Sequence, residues 1–227
     1  MSIDAALAKD RAAALRLVPV SRETEARLDQ FVTLLLRWQK AVQLVGPSTI
    51  SKLWTRHVAD SLQILDFAPD AKVWIDLGTG GGFPGLVVAI ALTGRAGVVV
   101  HLVESDSRKA AFLREAIRVT GAPAKVYAER VESAAERFAG KVEMVTARAL
   151  APLARLLEMA APLLSAGAQG IFLKGQDIDG ELTEAAKSWN ISARTFPSRT
   201  DPRGRILIVD RMMRQKVAGG SKPESNP

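Results

Sequence analysis

Leu28, Phe31, Leu35, Trp38 and Val42 recur at spacings of three and four residues, with charged and polar positions between them. That period draws one apolar stripe along a helix and predicts that its other faces meet water. Ser21 stands where an N-cap belongs, and Glu23 and Glu25 follow in the opening turn, where carboxylates suit the positive end of the helix dipole. Gly46-Pro47-Ser48 breaks the pattern. Leu53, Trp54, His57, Val58, Ser61, Leu62 and Leu65 then lie along neighbouring faces of a second helix, which ends near Phe67-Ala68-Pro69. Residues 1–70 therefore read as a helical extension.

From residue 72 the rhythm changes. Short β-rich runs at Val73–Leu77, Val98–Val103, Ala124–Ala128, Glu143–Ala147 and Gly170–Lys174 alternate with helical patterns at about 84–93, 106–120, 132–139, 151–164 and 178–189. Strand–helix alternation predicts βαβ crossovers, a largely parallel sheet and helices on both faces. Ile191–Phe196 and Arg205–Val209 follow with no helix between them, which predicts a hairpin-like finish to the sheet. Residues 71–217 read as an α/β, Rossmann-like domain, and 218–227, AGGSKPESNP, as a disordered tail.

Composition narrows the class. An apolar share of 48% sustains one substantial core and excludes disorder along the whole length. The apolar runs Gly85–Leu92 and Val98–Val103 fall far short of the roughly 20 residues a membrane span needs. The first ten residues lack the basic-then-apolar order of a secretory signal. Cysteine is absent, which removes disulfides, thiolate zinc sites and a cysteine nucleophile. The expectation is a soluble, cytoplasmic chain with neither membrane nor metal among its partners. The net charge of +7 is uneven: Arg194, Arg199, Arg203, Arg205, Arg211, Arg214, Lys216 and Lys222 face only Asp201 and Asp210 in their segment. Such a cluster suits a polyanion, because neutralising phosphates releases counterions. A solvated surface face is the competing reading.

Candidate chemistry concentrates at VWIDLGTGGGFPG, Val73–Gly85. An apolar strand there runs straight into a turn whose glycines let a ligand approach without Cβ clashes. Pro84 suits the first turn of the helix that follows. Open α/β sheets bind ligands at the carboxyl ends of their strands, where this turn lies. Gly80, Gly82 and Gly85 satisfy the GxGxxG spacing of dinucleotide binders. Asp76-Leu77-Gly78-Thr79-Gly80-Gly81-Gly82 also satisfies an acidic-x-GxGxG pattern, similar to motif I of S-adenosylmethionine-dependent methyltransferases. Glu104, ending the second strand, is placed to accept both hydroxyls of an adenosine ribose, which either cofactor carries. The long helical segment before the motif and the short hairpin after the fifth strand favour S-adenosylmethionine over a nicotinamide-dependent oxidoreductase. A non-catalytic RNA-binding protein on the same fold is the third reading.

Acceptor chemistry separates some substrates. Exocyclic amines of adenine and cytosine typically call for an Asn/Asp-Pro-Pro-aromatic tetrapeptide, where this chain has Thr146-Ala147-Arg148-Ala149. Pyrimidine C5 requires the absent cysteine. Guanine N7 has a free in-plane lone pair and needs no base beforehand, so positioning and electrostatics suffice.

Trp38-Gln39-Lys40, Arg56-His57-Val58-Ala59-Asp60-Ser61, Ile75–Gly85, Arg108–Arg114, Arg130-Val131-Glu132, Thr146-Ala147-Arg148-Ala149 and Leu173-Lys174-Gly175 together resemble the small-subunit (16S) ribosomal RNA methyltransferase G family, also called glucose-inhibited division protein B. Gln43-Leu44-Val45 departs from the family's Asn-Leu-Thr. The resemblance implies a class I S-adenosylmethionine-dependent methyltransferase acting on guanine N7, with small-subunit rRNA or its assembly intermediate as partner. It implies cofactor contacts at Gly78, Phe83, Glu104, Val131, Glu132 and Arg148, the last facing the methionine carboxylate. Arg56 and His57, sharing a helix face with Asp60 and Ser61, are expected along the cofactor and RNA cleft. Lys174 is a candidate phosphate or base contact, and Arg203 and Arg205 are candidate RNA contacts.

Overall fold

The computed structural model describes residues 3–215, so the tail at 218–227 and the cations Lys216 and Lys222 lie outside the described residues. Two helices open the chain, α1 (Ile3–Leu17) and α2 (Arg22–Trp38). The Ser21 side chain caps α2 by accepting from the Thr24 N–H at 3.2 Å. Helix α1 lies outside the periodic stripe, and Ala14 is its one buried residue. Leu7 and Leu15 pack with it against the core, and polar contacts add to the hold: Arg11 pairs with Asp29 and Glu25 of α2, and the Asp10 carboxylate accepts from the Trp54 and Thr55 N–H groups.

The second helix of the sequence reading is present but changes winding along its length. It runs as 3₁₀ at Pro47–Lys52, π at Trp54–Ala59, α3 (Asp60–Leu62) and 3₁₀ again at Gln63–Phe67. A π turn widens the helix by one residue and re-aims the side chains beyond it, a device common at functional sites. Here the π stretch itself carries Arg56 and His57, and Asp60 follows directly after it.

Alternation then proceeds as predicted: β1 (Val73–Leu77), α4 (Gly85–Ala91), β2 (Val99–Val103), α5 (Ser107–Thr120), β3 (Ala124–Tyr127), α6 (Val131–Phe138), β4 (Met144–Arg148), α7 (Leu153–Ser165), β5 (Gln169–Lys174) and α8 (Ile178–Ala185). The finishing hairpin, β6 (Trp189–Pro197) and β7 (Arg205–Arg214), extends beyond the apolar runs that announced it. Its pairing continues through polar positions because β6 is an edge strand whose outward residues face water. Seven strands align in the order β3-β2-β1-β4-β5-β7-β6, with β7 antiparallel to both neighbours and the other pairs parallel. Strand order reverses between β1 and β4, which opens a crevice at their carboxyl ends.

Strand residues alternate between two cores. Leu28, Phe31, Leu35, Leu53 and Ile64 from the first seventy residues share one core with Trp74, Val87, Phe112 and Ile206. The opposite face packs Ile75, Val145, Phe172 and Leu207 against Leu156, Leu157 and Leu163 of α7 and Phe138 of α6. Each fully buried Leu or Phe contributes about 1.5–3 kcal/mol, so the amino-terminal helices are bound to the sheet by many such increments. Among the described residues no helix is long and apolar enough to cross a membrane.

Candidate functional site

Asp76 organises the glycine turn from beneath. Its fully buried carboxylate accepts from the Gly85 N–H at 2.9 Å and from the Thr146 hydroxyl at 2.8 Å. Burial raises its pKa to about 6 despite those donors. The carboxylate thus braces the start of α4 and faces away from the cleft. A Cβ on Gly85 would stand 2.5 Å from the Asp76 Cβ, and one on Gly81 would stand 2.8 Å from the Leu44 carbonyl oxygen. Gly80 differs: its Cβ would meet nothing nearer than the Gly78 oxygen at 3.9 Å. The turn is packed tightly behind and open in front, as a cradle for a ligand must be.

Glu104 joins the turn to β2. Its two carboxylate oxygens accept from the Gly80 N–H at 2.9 Å and the Asp106 N–H at 2.8 Å, and the residue is only 8% exposed. Each oxygen keeps a lone pair for a vicinal diol. Gly78 and Phe83 belong to the same wall, but neither is a free surface. Gly78 has φ +65°, and a Cβ there would fall 2.5 Å from Leu150, so this glycine admits the chain leaving β4. Phe83 is 3% exposed, edge-on to Phe31 and beneath the Arg148 guanidinium at 5.0 Å. Val131 and Glu132 open α6 on the cleft's rim, where Glu132 pairs with Arg155 at 3.1 Å.

Arg148 closes β4 and turns inward, 17% exposed at its side chain. It donates to the Arg56 carbonyl at 3.0 Å and to His57 Nδ1 at 2.6 Å, with Asp60 at 3.8 Å. A guanidinium has no lone pair, so His57 Nδ1 must be the acceptor and Nε2 carries the proton. That N–H donates to the Thr49 hydroxyl at 2.8 Å. Burial first, then the charges of Arg148 and Arg56, lower the imidazole pKa to about 3. His57 is therefore a neutral strut that orients Arg148. Ser61, expected beside it, is fully buried and donates to the His57 carbonyl at 2.6 Å.

The remaining cations divide. Lys174 is 9% exposed at its side chain, paired with Glu181 at 2.5 Å and donating to the Ala151 carbonyl. Arg56 pairs with Asp201, Arg199 with Asp66, and Arg194 with Asp210, so part of the basic segment is neutralised internally. Arg203 pairs with Asp201 at 3.6 Å yet stays 70% exposed at its side chain, and Arg205 donates to the Pro202 and Gly204 carbonyls. Turn, Glu104, Val131, Glu132, Arg148, Lys174, Arg203 and Arg205 all border one cavity of about 940 Å³. Sequence reasoning missed Thr49, Gln63, Ser198, Thr200 and Asp201. Gln63, three residues beyond Asp60, had a helix-face signal; the Ser-Arg-Thr-Asp-Pro stretch had only the look of a turn.

Comparison with known proteins matches residues 24–202 to the family model described as GidB, rRNA small subunit methyltransferase G. A "Ribosomal RNA small subunit methyltransferase G" of Bradyrhizobium sp. strain BTAi1 is 58% identical over 204 residues, 90% of this chain and 92% of that protein. One bearing the same name from Rhodopseudomonas palustris strain BisB18 is 59% identical over 201 residues, 88% of this chain and 86% of that protein. Among solved structures, an O-methyltransferase from Bacillus cereus in complex with SAH superposes with a TM-score of 0.58 at 16% identity, covering 92% of this chain and all (100%) of that one. The fold is that of the class I S-adenosylmethionine-dependent methyltransferases.

Proposed function

The chain belongs to the GidB family, rRNA small subunit methyltransferase G, and from that premise we propose that it transfers a methyl group from S-adenosylmethionine to N7 of a guanine in 16S rRNA. The substrate is the cytoplasmic RNA, naked or in an assembly intermediate. Family membership sets aside the nicotinamide reading of the glycine turn. The observation that carries the proposal is Glu104: a carboxylate at the end of β2, fixed to the turn by the Gly80 N–H and retaining lone pairs toward the cavity. The open face at Gly80 and this acceptor suit an adenosine ribose. Gly78, Phe83, Val131, Glu132 and Arg148 would complete the holding set, Arg148 toward the carboxylate of the amino-acid end.

When bound, S-adenosylmethionine supplies an electrophilic methyl on a sulfonium. The protein's task is then to exclude water and hold the acceptor in line. Three titratable groups of the cleft are tied into the protein: both His57 nitrogens are bonded, each Glu104 oxygen accepts one backbone N–H, and Asp60 is held by four neighbours. An acceptor whose lone pair is already free, as guanine N7 is, suits a site of this kind. The test is methyl transfer to deproteinised 16S rRNA and to small subunits from a strain lacking the enzyme, followed by base mapping. N7-methylguanine at one position is expected. Calorimetric binding of S-adenosylmethionine without transfer to either substrate would leave a non-catalytic RNA-binding protein.

A further inference from the structure

One stripe of the mixed-winding helix is zipped to the loop between β6 and β7. Arg56, Asp60, Gln63, Asp66 and Phe67 succeed one another at helical spacing, and each meets that hairpin. Arg56 pairs with Asp201, Asp66 pairs with Arg199, and Phe67 packs on Phe196 with ring centroids 4.8 Å apart. At the centre, Asp60 Oδ1 accepts from the Thr200 hydroxyl at 2.7 Å, the Ser198 hydroxyl at 3.2 Å and Gln63 Nε2 at 2.8 Å. Gln63 is fully buried; its Nε2 also donates to Ser198 Oγ at 3.0 Å, and its Oε1 accepts from the Arg199 N–H at 2.9 Å. The loop closes on itself through Ser198 N–H to the Gly204 carbonyl at 3.1 Å and Gly204 N–H to the Asp201 carbonyl at 2.8 Å.

We infer that Asp60 and Gln63 are positioning residues for RNA binding, locking residues 198–201 so that Arg203 and Arg205 hold one edge of the cleft that the glycine turn also borders. The inference rests on the rRNA reading above. A buried amide oxygen left without a donor is costly: Gln63 Nε2 keeps Asp60 on its own helix, but Oε1 takes its donor, the Arg199 N–H, from the loop where it stands. Arginines carried on a loop already ordered lose less conformational freedom when they engage phosphate or base. Releasing the loop would therefore weaken RNA capture, while Asp60 keeps its contact with Arg148 at 3.8 Å and the methyl-transfer step is left intact.

Thr200→Val removes one latch hydroxyl at nearly constant shape, and Ser198→Ala removes the other. In steady-state methylation, each is expected to raise KM for rRNA roughly fivefold to tenfold. kcat and the KM for S-adenosylmethionine should stay within about twofold, and Thr200→Ser should restore the RNA KM. In a double-mutant cycle, Arg203→Ala should cost less affinity in the Thr200→Val protein than in the parent, since the arginine is already misplaced there. An unchanged RNA KM, a kcat loss at constant KM, failure of Thr200→Ser to restore, or equal Arg203→Ala costs in both backgrounds would overturn the latch. A parent protein that methylates no rRNA would instead defeat the functional reading. Fluorescence anisotropy with an rRNA fragment then reads the latch directly, with weaker binding by Thr200→Val and Ser198→Ala expected and unchanged binding overturning it.

Discussion

Residues 76–85 and residues 198–205 border the same cleft but are built on different principles. The glycine turn is supported by its own strand and its immediate neighbours: Asp76 bonds to Gly85 nine residues on, and the Thr79 N–H reaches the Val103 carbonyl at 3.0 Å on the adjacent strand. The β6–β7 loop depends on side chains well over a hundred residues away, Arg56, Asp60, Gln63 and Asp66, for its position. One wall is a rigid backbone device that has no room for an added atom at Gly81 or Gly85. The other is a set of side-chain hydrogen bonds that can be loosened one at a time. A cofactor of fixed shape suits the first and a large, deformable RNA suits the second.

The largest effect should come from violating the rigid wall. Gly85→Ala drives a methyl into Asp76 and Leu102, whose atoms stand 2.5–2.6 Å from the new Cβ. A loss of about 3 kcal/mol in urea unfolding is expected, and a loss below about 1 kcal/mol would mean that the turn yields as easily as the latch. Glu104→Ala follows. It removes the brace on Gly80 together with the candidate ribose acceptor, so calorimetry should show S-adenosylmethionine affinity falling on the order of 30-fold to 100-fold. RNA affinity should change much less; equal losses would merge the two walls into one site.

A pH profile sharpens the contrast further. Burial raises Asp76 from 3.8 to about 6, so below about pH 4 the carboxyl is protonated in both states and its stabilising contribution is whole. As pH rises from about 4 to 6 the unfolded chain releases its proton first, and stability falls by on the order of 3 kcal/mol. His57 has the opposite sign. Held at about 3, chiefly by burial and then by Arg148 and Arg56, it contributes above its ordinary value of 6.5, and that contribution drains away as pH falls toward 3. Asp76→Asn should therefore flatten only the Asp76 part, measured as the difference between the two unfolding curves across pH 4–6. A pH-independent difference would remove the carboxyl from the turn's support.

The smallest expected effect belongs to the soft wall. Arg203→Ala and Arg205→Ala should each weaken rRNA binding and reduce its logarithmic salt slope by roughly 1. Arg203 already shares Asp201 and Arg205 already donates to two carbonyls, so neither slope change should exceed that figure. An unchanged slope in both would leave the loop as surface charge.

Much of the rigid wall was legible because its causes are local. A strand running into glycines, a proline at the helix entry and an acid ending the next strand each follow from short-range backbone sterics and hydrogen bonding. The Leu28–Val42 stripe and the strand–helix alternation were legible for the same reason. Helix α1 fell within the helical extension read at 1–70, but its bounds and its contacts through Asp10 and Arg11 did not show, because polar pairs leave no periodic trace. His57 looked like a cleft residue by its place in the RHxxDS motif. Its burial against Arg148 made it a neutral strut, and pairing with Glu181 likewise tied Lys174 into the wall.

By itself the sequence determined the order of elements, the glycine turn and the acid that faces it, since these depend on what each residue's backbone permits within a few neighbours. The tertiary structure decided which of the cations are buried in pairs, like Lys174, and which, like Arg203 beside Asp201, keep most of their surface exposed at the cleft. It also decided that Asp60 and Gln63 hold a loop about 140 residues away. Pairing between distant side chains depends on packing that brings their segments together, and a linear pattern carries no such distance.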